Sequence, residues 1–551
     1  MKTTYFLLLI FLLTSSAVYA QVTEQWIMTY NGLANRDDHA DFVAVDGSGN
    51  IYVTGKSQGY DYHTNTIIIK YGPSGGQQWV TMYGDPFTGL NYPVGLTIDN
   101  SGNVYVLAYN NAGSNPPTTE YLTIKYNASG QVIWAAHYVG PIYGTSLPKP
   151  ADIAVDGSGN VYVTGFVTNS SNTKYLYATV KYDANSNILW SHTYESYGGD
   201  SEPSAIAIDN SGNTFVTGFG YFLSPTYENY LTVKYSPSGT FQWAAIYTGP
   251  TNGDNAATSI AVDGSGNSYV TGNSTGTDSH LHCATVKYNS SGVQQWVARY
   301  NGSGTGNDDA AKVVLKNGYI YVGGTSAGGS TGKDYLAIKY AANGNELWNA
   351  TYSGQNGDDF GNDIAVDDYG LVYVTGFSAG PVHSKIATVR FNSNGTLQWI
   401  QQHALCPNIR DEGAYSIALG PNNGNGVVVV AGTISHDQCA NSDFCTIKYT
   451  QTGLGITQIS GNIPDKYSLE QNYPNPFNPV TNINFSLPAA GKVRLIIYDM
   501  LGKEIETIVN EDLAAGTYKA DFDASKLSSG IYLYKLTANS FSEVKKMVFV
   551  K

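Results

Sequence analysis

Between residues 25 and 450, apolar and polar residues alternate in short runs that return at a fixed interval. In the stretch 204–247 the runs are Ser204–Asp209, Asn213–Gly218, Tyr230–Tyr235 and Gln242–Tyr247. They are rich in Val, Ile, Tyr and Thr and are separated by Gly, Asn, Ser and Pro, the pattern of half-buried strands joined by tight turns. All eight tryptophans keep one period: Trp26, Trp79, Trp134, Trp190, Trp243, Trp296, Trp348 and Trp399 stand 51 to 56 residues apart. A Lys-Tyr pair begins at Lys70, Lys125, Lys181, Lys234, Lys287, Lys339 and Lys448, with Arg390-Phe391 in the same phase. From Lys70 to Arg390 a Trp follows each pair nine residues later.

The third marker is Val-Asp-Gly-Ser-Gly-Asn and its variants, with Asp46, Asp99, Asp156, Asp209, Asp263 and Asp367 in the lead position and degenerate copies near Asn317-Gly318 and Asn422–Gly426. Eight copies of four strands each predict an all-β fold, an eight-bladed β-propeller over residues 21–450. The eighth copy has Thr457 where its Trp belongs, while Gln25-Trp26-Ile27 precedes the first full copy. The N-terminal strand is therefore expected to complete the last blade and close the ring, which removes two raw sheet edges.

The Asp-Gly-Ser-Gly-Asn phrase reads as a hairpin stitch. Asp starts a turn by accepting from the backbone two residues on, and the second Gly tolerates positive φ. A calcium loop of the EF-hand kind needs Gly at position six and an acid at twelve. Counted from Asp46 these are Ile51 and Ser57, and from Asp156 they are Val161 and Val167, so the pattern fails.

Charged residues make up 13% of the chain and the net charge is −14, which disfavours binding to a nucleic-acid backbone. Met1-Lys2, the apolar run Tyr5 to Leu13 and the small-residue ending Ala17-Val18-Tyr19-Ala20 predict a signal peptide over 1–20, with the mature chain starting at Gln21. Of four cysteines, Cys406, Cys439 and Cys445 lie close in sequence, apart from Cys283. Export permits one disulfide among those three, with buried free thiols as the alternative.

Residues 451–466 read as a linker and 467–551 as a small Ig-like β-sandwich, with alternating Val493, Leu495 and Ile497 on a half-buried strand. The repeat phrase, with Tyr-Leu-Thr-Val-Lys-Tyr and its spaced Trp, resembles the bacterial β-propeller repeat family called SBBP over about residues 25–450. That family is usually seven-bladed, and the resemblance implies a secreted or surface setting without any catalytic residues to carry over. The tail resembles the type A sorting domain of the type IX secretion system. The residues that carry this likeness are Asn472, Tyr473, Pro474, Asn475, Pro476, Phe477, Asn478, Pro479, Tyr498, Asp499, Gly502, Gly516, Tyr518, Gly530, Tyr532, Lys545 and Lys546. By resemblance, the tail is read by an outer-membrane translocon of a Gram-negative bacterium and removed by its C-terminal signal protease. The mature chain is then secreted or held at the cell surface.

Propeller sites gather at the mouth of the central channel. Shortly before most first strands stands an acid: Asp37, Asp200, Asp254, Asp308, Asp358 and Asp411, with Asp38, Asp309, Asp359 and Glu412 beside some and Leu90 and Leu147 in the remaining copies. Such a ring suits a divalent cation or a cationic or polyhydroxy ligand, and the simpler reading is a turn acid bonded within its loop. Asp278, His280 and His282 alternate, so one strand face would carry all three, though no further metal ligand is evident. Nucleophile motifs, including a Gly-x-Ser-x-Gly elbow, are read as absent. The expected function is non-catalytic binding or scaffolding of a glycan, protein or matrix, with Tyr60, Tyr62 and Tyr221 to Tyr230 as contact surface. The alternative is an exported polysaccharide hydrolase or lyase using paired carboxylates at the channel mouth.

Overall fold

A computed structural model describes residues 21–551 except 61–62, 85–89, 112–118, 141–147, 172, 197, 223–226, 355–356, 381, 405–410, 422–426, 437–440, 453–455, 461–462, 514 and 525–526. The expected signal peptide, residues 1–20, lies outside the described residues. Two compact units divide the chain, Thr23–Thr450 and Gln451–Lys551. Among the described residues the helices and strands assigned are all strands, and no helix is long and apolar enough to cross a membrane.

In the larger unit the strands form antiparallel meanders of four, such as Ser201–Ile208, Thr214–Tyr221, Glu228–Tyr235 and Phe241–Tyr247. Five sheets are of this kind. A further sheet joins two meanders through a single parallel bridge between Thr64 and Leu90. The sheet of Gly413–Leu419, Val427–His436 and Asn441–Thr452 takes its fourth, outer strand from Gln21–Tyr30, so Trp26 belongs to the last sheet. First strands of successive repeats lie side by side along the chain, and Gly413–Leu419 in turn lies beside Asp38–Val45.

The local chemistry of each marker explains this packing. At the hairpin, Asp46 Oδ1 accepts the amides of Ser48 and Asn50, both at 2.9 Å, while Oδ2 accepts Asn50 Nδ2 at 2.7 Å and the Tyr52 hydroxyl at 3.0 Å. Gly49 takes φ of +79°, which closes the turn. The first strand of each repeat carries a bulge, between Ala40 and Phe42 in the first. Opposite it stands Gly55, where a Cβ would lie 1.8 Å from the His39 carbonyl oxygen. This is why the second strand carries Gly after Val-Thr in its middle.

Trp and Lys-Tyr clamp neighbouring sheets. Trp190 Nε1 and Lys181 Nζ both donate to the Pro237 carbonyl in the next repeat, each at 3.2 Å. The indole ring packs against Tyr162 of its own sheet and Tyr235 of the next. The last sheet treats the first repeat in the same way: Lys448 Nζ donates to the Pro73 carbonyl, Trp26 packs on Tyr71, and Val43 N–H donates to Ser416 Oγ. One apolar cluster joins Val43, Ile51 and Val53 to Val429, Ala431 and Phe444. Second and third strands are covered on both faces by adjacent sheets, and Tyr52, Tyr105, Tyr162 and Tyr321 are fully buried.

In the smaller unit two four-stranded antiparallel sheets share one core. One sheet runs Ile456–Ser460, Gly516–Asp523, Val480–Leu487, Ser468–Leu469, and the other Glu504–Leu513, Gly491–Tyr498, Gly530–Ala538, Phe541–Phe549. Ile456–Ser460 pairs with Gly516–Asp523, so part of the stretch expected as linker is a strand of this unit. Leu469, Phe477, Phe485, Leu495 and Phe549 are in its core. Cys283 and Cys445 are buried free thiols, which removes Cys445 from the expected disulfide. Cys406 and Cys439 lie outside the described residues.

Candidate functional site

The acids expected to ring a channel mouth occupy one recurrent position with a structural task. Where the chain enters a new sheet, a carboxylate accepts the N–H that opens the third strand of the preceding sheet. The pairs are Asp37 with Ser442 (3.0 Å), Asp200 with Tyr175 (2.7 Å), Asp254 with Glu228 (3.2 Å), Asp358 with Lys333 (2.8 Å) and Asp411 with Ser384 (2.7 Å). Between the fifth and sixth repeats Asn307 does this for Leu281, at 3.0 Å. Asp308 is therefore one residue out of phase with the other five. It belongs instead with Asp38 and Asp359, which are buried and turned into their own loop. Asp308 accepts Gly302 N–H at 2.8 Å, Ser326 Oγ–H at 3.0 Å and Ala327 N–H at 2.8 Å. Asp38 and Asp359 accept the amides of Gly32 and Gly354 in the same way. Leu90 and Leu147 fall at or inside segments whose side chains are not described.

Serines facing these buried positions, Ser57, Ser274, Ser326 and Ser378, do spell Gly-x-Ser-x-Gly, which corrects the expectation that this pattern is absent. The glycines at its head, such as Gly55, are the bulge partners, and the serines are buried, Ser274 bonded to Asn255 and Ser326 to Asp308. The pattern therefore belongs to the fold rather than to a strand-to-helix nucleophile elbow.

Acids also crowd where the fourth repeat meets the fifth. The Tyr221 hydroxyl donates to Glu228 Oε1 at 3.1 Å, and Asp254 accepts the Glu228 amide. Burial, then neighbouring carboxylates, raise Glu228 and Glu202, with Lys149 opposing in the case of Glu202. Burial and Glu228 push Tyr221 up to about 12. The result is an anionic patch that favours protonated or cationic groups.

Asp278 lies 3.0 Å from His282 Nε2 and 3.8 Å from His280 Nδ1, at a turn closed by Gly276. Among the described residues no group of three His, Cys, Asp or Glu stands ready to hold a metal ion. A groove of about 290 Å³ lies between two successive hairpin turns, lined by Asp99, Asp156 and Lys125. Its carboxylates are already engaged: Asp156 accepts from Ser158, Asn160 and Tyr162. Tyr60 is exposed and donates to the Leu33 carbonyl, whereas Tyr62 lies outside the described residues.

The sorting-type residues serve the core of the smaller unit. The Phe477 amide donates to the Val548 carbonyl at 3.0 Å, and the Val548 amide to Asn475 Oδ1 at 2.9 Å, so the segment 475–477 lies along the final strand. Phe477 packs between Phe522 and Phe549. The Pro479 carbonyl accepts from Ala524, and Asp499 Oδ1 accepts from Leu501 and Lys503 in a turn that Gly502 closes at φ of +80°. The Tyr532 hydroxyl donates to the Ser528 carbonyl, just before Gly530 opens its strand, and Lys545 pairs with Glu543.

Known proteins agree with both parts. Residues 32–63, 136–172 and 242–278 match the β-propeller repeat SBBP, and residues 471–551 match the secretion system C-terminal sorting domain. The chain therefore carries SBBP β-propeller repeats and ends in a sorting domain of the type IX secretion system. An uncharacterized WD repeat-containing protein of Acanthamoeba polyphaga mimivirus is 29% identical over 195 residues, 32% of this chain and 11% of that protein. The chain thus spans about a tenth of that relative's length. Similar solved structures include PorZ, a surface component of the type-IX secretion system of Porphyromonas gingivalis, at 13% identity, with a TM-score of 0.26 over 92% of this chain and 74% of that one. Another is the β-propeller domain of the Trilobed protease from Pyrococcus furiosus, at 8% identity, with a TM-score of 0.37 over 66% and 95%. A sorting tail implies export to the cell surface or secretion, and contact with the secretion machinery.

Proposed function

We propose that this protein is an exported, non-catalytic binding or scaffold module. In this reading the mature chain is a closed eight-bladed propeller latched by Gln21–Tyr30, and the Ig-like tail 467–551 is its export address. One observation carries the non-catalytic reading: the recurrent acids Asp37, Asp200, Asp254, Asp358 and Asp411 each hold a neighbouring sheet rather than stand unoccupied. The ligand is a glycan, protein or matrix component that meets the anionic patch of Asp200, Glu202, Glu228 and Asp254.

The decisive experiment exposes the mature protein to glycan and protein arrays. Binding without turnover, weakened by Glu202→Gln with Glu228→Gln, supports the reading, and absence of any binding ends it. The alternative, a polysaccharide hydrolase or lyase, is favoured by the raised Glu202 and Glu228 carboxyls, which suit general-acid work. Product release that Glu228→Gln abolishes would establish that alternative.

A further inference from the structure

The smaller unit has a second face with no partner in its own fold. The sheet Glu504–Leu513, Gly491–Tyr498, Gly530–Ala538, Phe541–Phe549 turns Val493, Leu495, Ile497, Tyr534, Leu536, Met547 and Phe549 into the core. Strand alternation puts Arg494, Ile496, Leu533, Lys535, Lys546 and Val548 on the opposite face. Registration makes this a checkerboard. Lys535 stands between Ile496 and Val544, and Leu533 between Tyr498 and Lys546. Ile531 faces Val548. Ile531 is 42% exposed and Val544 51%.

Charge sets this face apart. Residues 467–551 carry nine Lys or Arg and nine Asp or Glu, so the whole net charge of −14 falls on the remainder of the chain. Among the described residues Arg494, Lys535 and Lys546 make no ion pair, whereas Lys519 is held by Asp521 and Lys545 by Glu543. Arg494, Lys535 and Lys546 thus share one face without a described carboxylate partner, Lys535 beside the exposed Val544 and Lys546 beside the half-buried Leu533, and such a face is fitted to a surface that supplies both carboxylates and apolar contact.

We propose that this outer face is where the secretion machinery grips the tail, through a protein surface that presents carboxylates between apolar side chains. The inference rests on the reading of residues 467–551 as the export address and assigns the recognition to one side of it. A lipid surface fits less well. It would call for a continuous apolar area rimmed by cations, and here cations and apolar groups alternate residue by residue.

The test uses the full-length chain in a host that carries a type IX secretion system. Arg494→Glu, Lys535→Glu and Lys546→Glu combined should lower the exported fraction about tenfold or more, as expected when like charges meet across an interface. The retained protein should melt as the parent does. Lys519→Glu, on the other sheet, should be exported like the parent. A photoreactive phenylalanine in place of Leu533, on the otherwise native chain, should crosslink to a protein of the secretion machinery, a measurement independent of whether the triple variant folds. Normal export of a folded triple variant overturns the proposal, and so do adducts at 533 made only with lipid or with a second copy of this chain. Export of a chain ending at residue 466 would instead refute the address reading itself, whichever face is involved.

Discussion

Trp26→Ala tests the latch. Six tryptophans, Trp79, Trp134, Trp190, Trp243, Trp296 and Trp348, donate their indole N–H to a turn carbonyl of the next repeat at 2.9 to 3.2 Å. Trp26 repeats the ring contacts, 5.9 Å from Tyr71 and against Gly75, but its indole nitrogen has no acceptor. Truncating a packed Trp to Ala costs about 3–5 kcal/mol, and a net hydrogen bond is about 1 kcal/mol of such a figure. Trp190, 9% exposed and hydrogen-bonded, should fall in that range on truncation. Trp26 is half-buried and lacks the bond, so Trp26→Ala should cost about 2–3 kcal/mol. At about 2 °C per kcal/mol for a large domain, its melting point should drop by about 4–6 °C. Hydrogen exchange should locate the loss. Amides in Val427–His436 and Asn441–Thr452 should exchange faster, while those of Thr214–Tyr221 stay protected. An unchanged melting curve together with unchanged exchange in the last sheet would refute the claim that the first strand holds it.

Further outcomes follow from the same geometry. Asp156→Asn replaces an acceptor oxygen that meets Asn160 and Tyr162 donors, and should cost about 1–2 kcal/mol in thermal or denaturant unfolding. Partial burial raises the Asp156 carboxyl, but bonds from Asn160, Tyr162 and Ser158 outweigh it and leave it below its ordinary 3.8. Its stabilisation is thus present above the unfolded value and is lost as pH falls through the lower folded one, so the gap between Asp156→Asn and parent should close on acidification. Asp41 has the opposite sign: burial pushes it up to about 7, against Lys56. Its charge destabilises the fold increasingly as pH rises above the unfolded value, so Asp41→Asn should raise the melting point at pH 8 and change little near pH 4. Phe477→Ala removes a ring packed on Phe522 and Phe549 and should destabilise the smaller unit by about 3–5 kcal/mol, read as earlier proteolysis of residues 467–551 with Thr23–Thr450 intact.

Sequence alone determined the strand count per repeat, the phase of the markers and the identity of the hairpin turn, because each depends on local chemistry. An Asp whose oxygens meet amides two and four residues on, or a Gly opposite a bulge, leaves its mark within a dozen residues. The surplus Trp at residue 26 also carried long-range information, since a strand lacking in the last sheet and spare at the start is a counting fact. Tertiary structure alone decided what the recurrent acids do. Asp200, Asp254, Asp358 and Asp411 bond to a strand 25 to 27 residues earlier, in another sheet, Asp37 bonds to one 405 residues later, and Asp308 differs from them by a single step of register. Along a strand, one residue reverses the side to which a carboxylate points, and composition cannot show which side a neighbouring backbone will meet. The unpaired basic face of the tail is decided in the same way, by which cations end up beside a carboxylate once the sheets are registered.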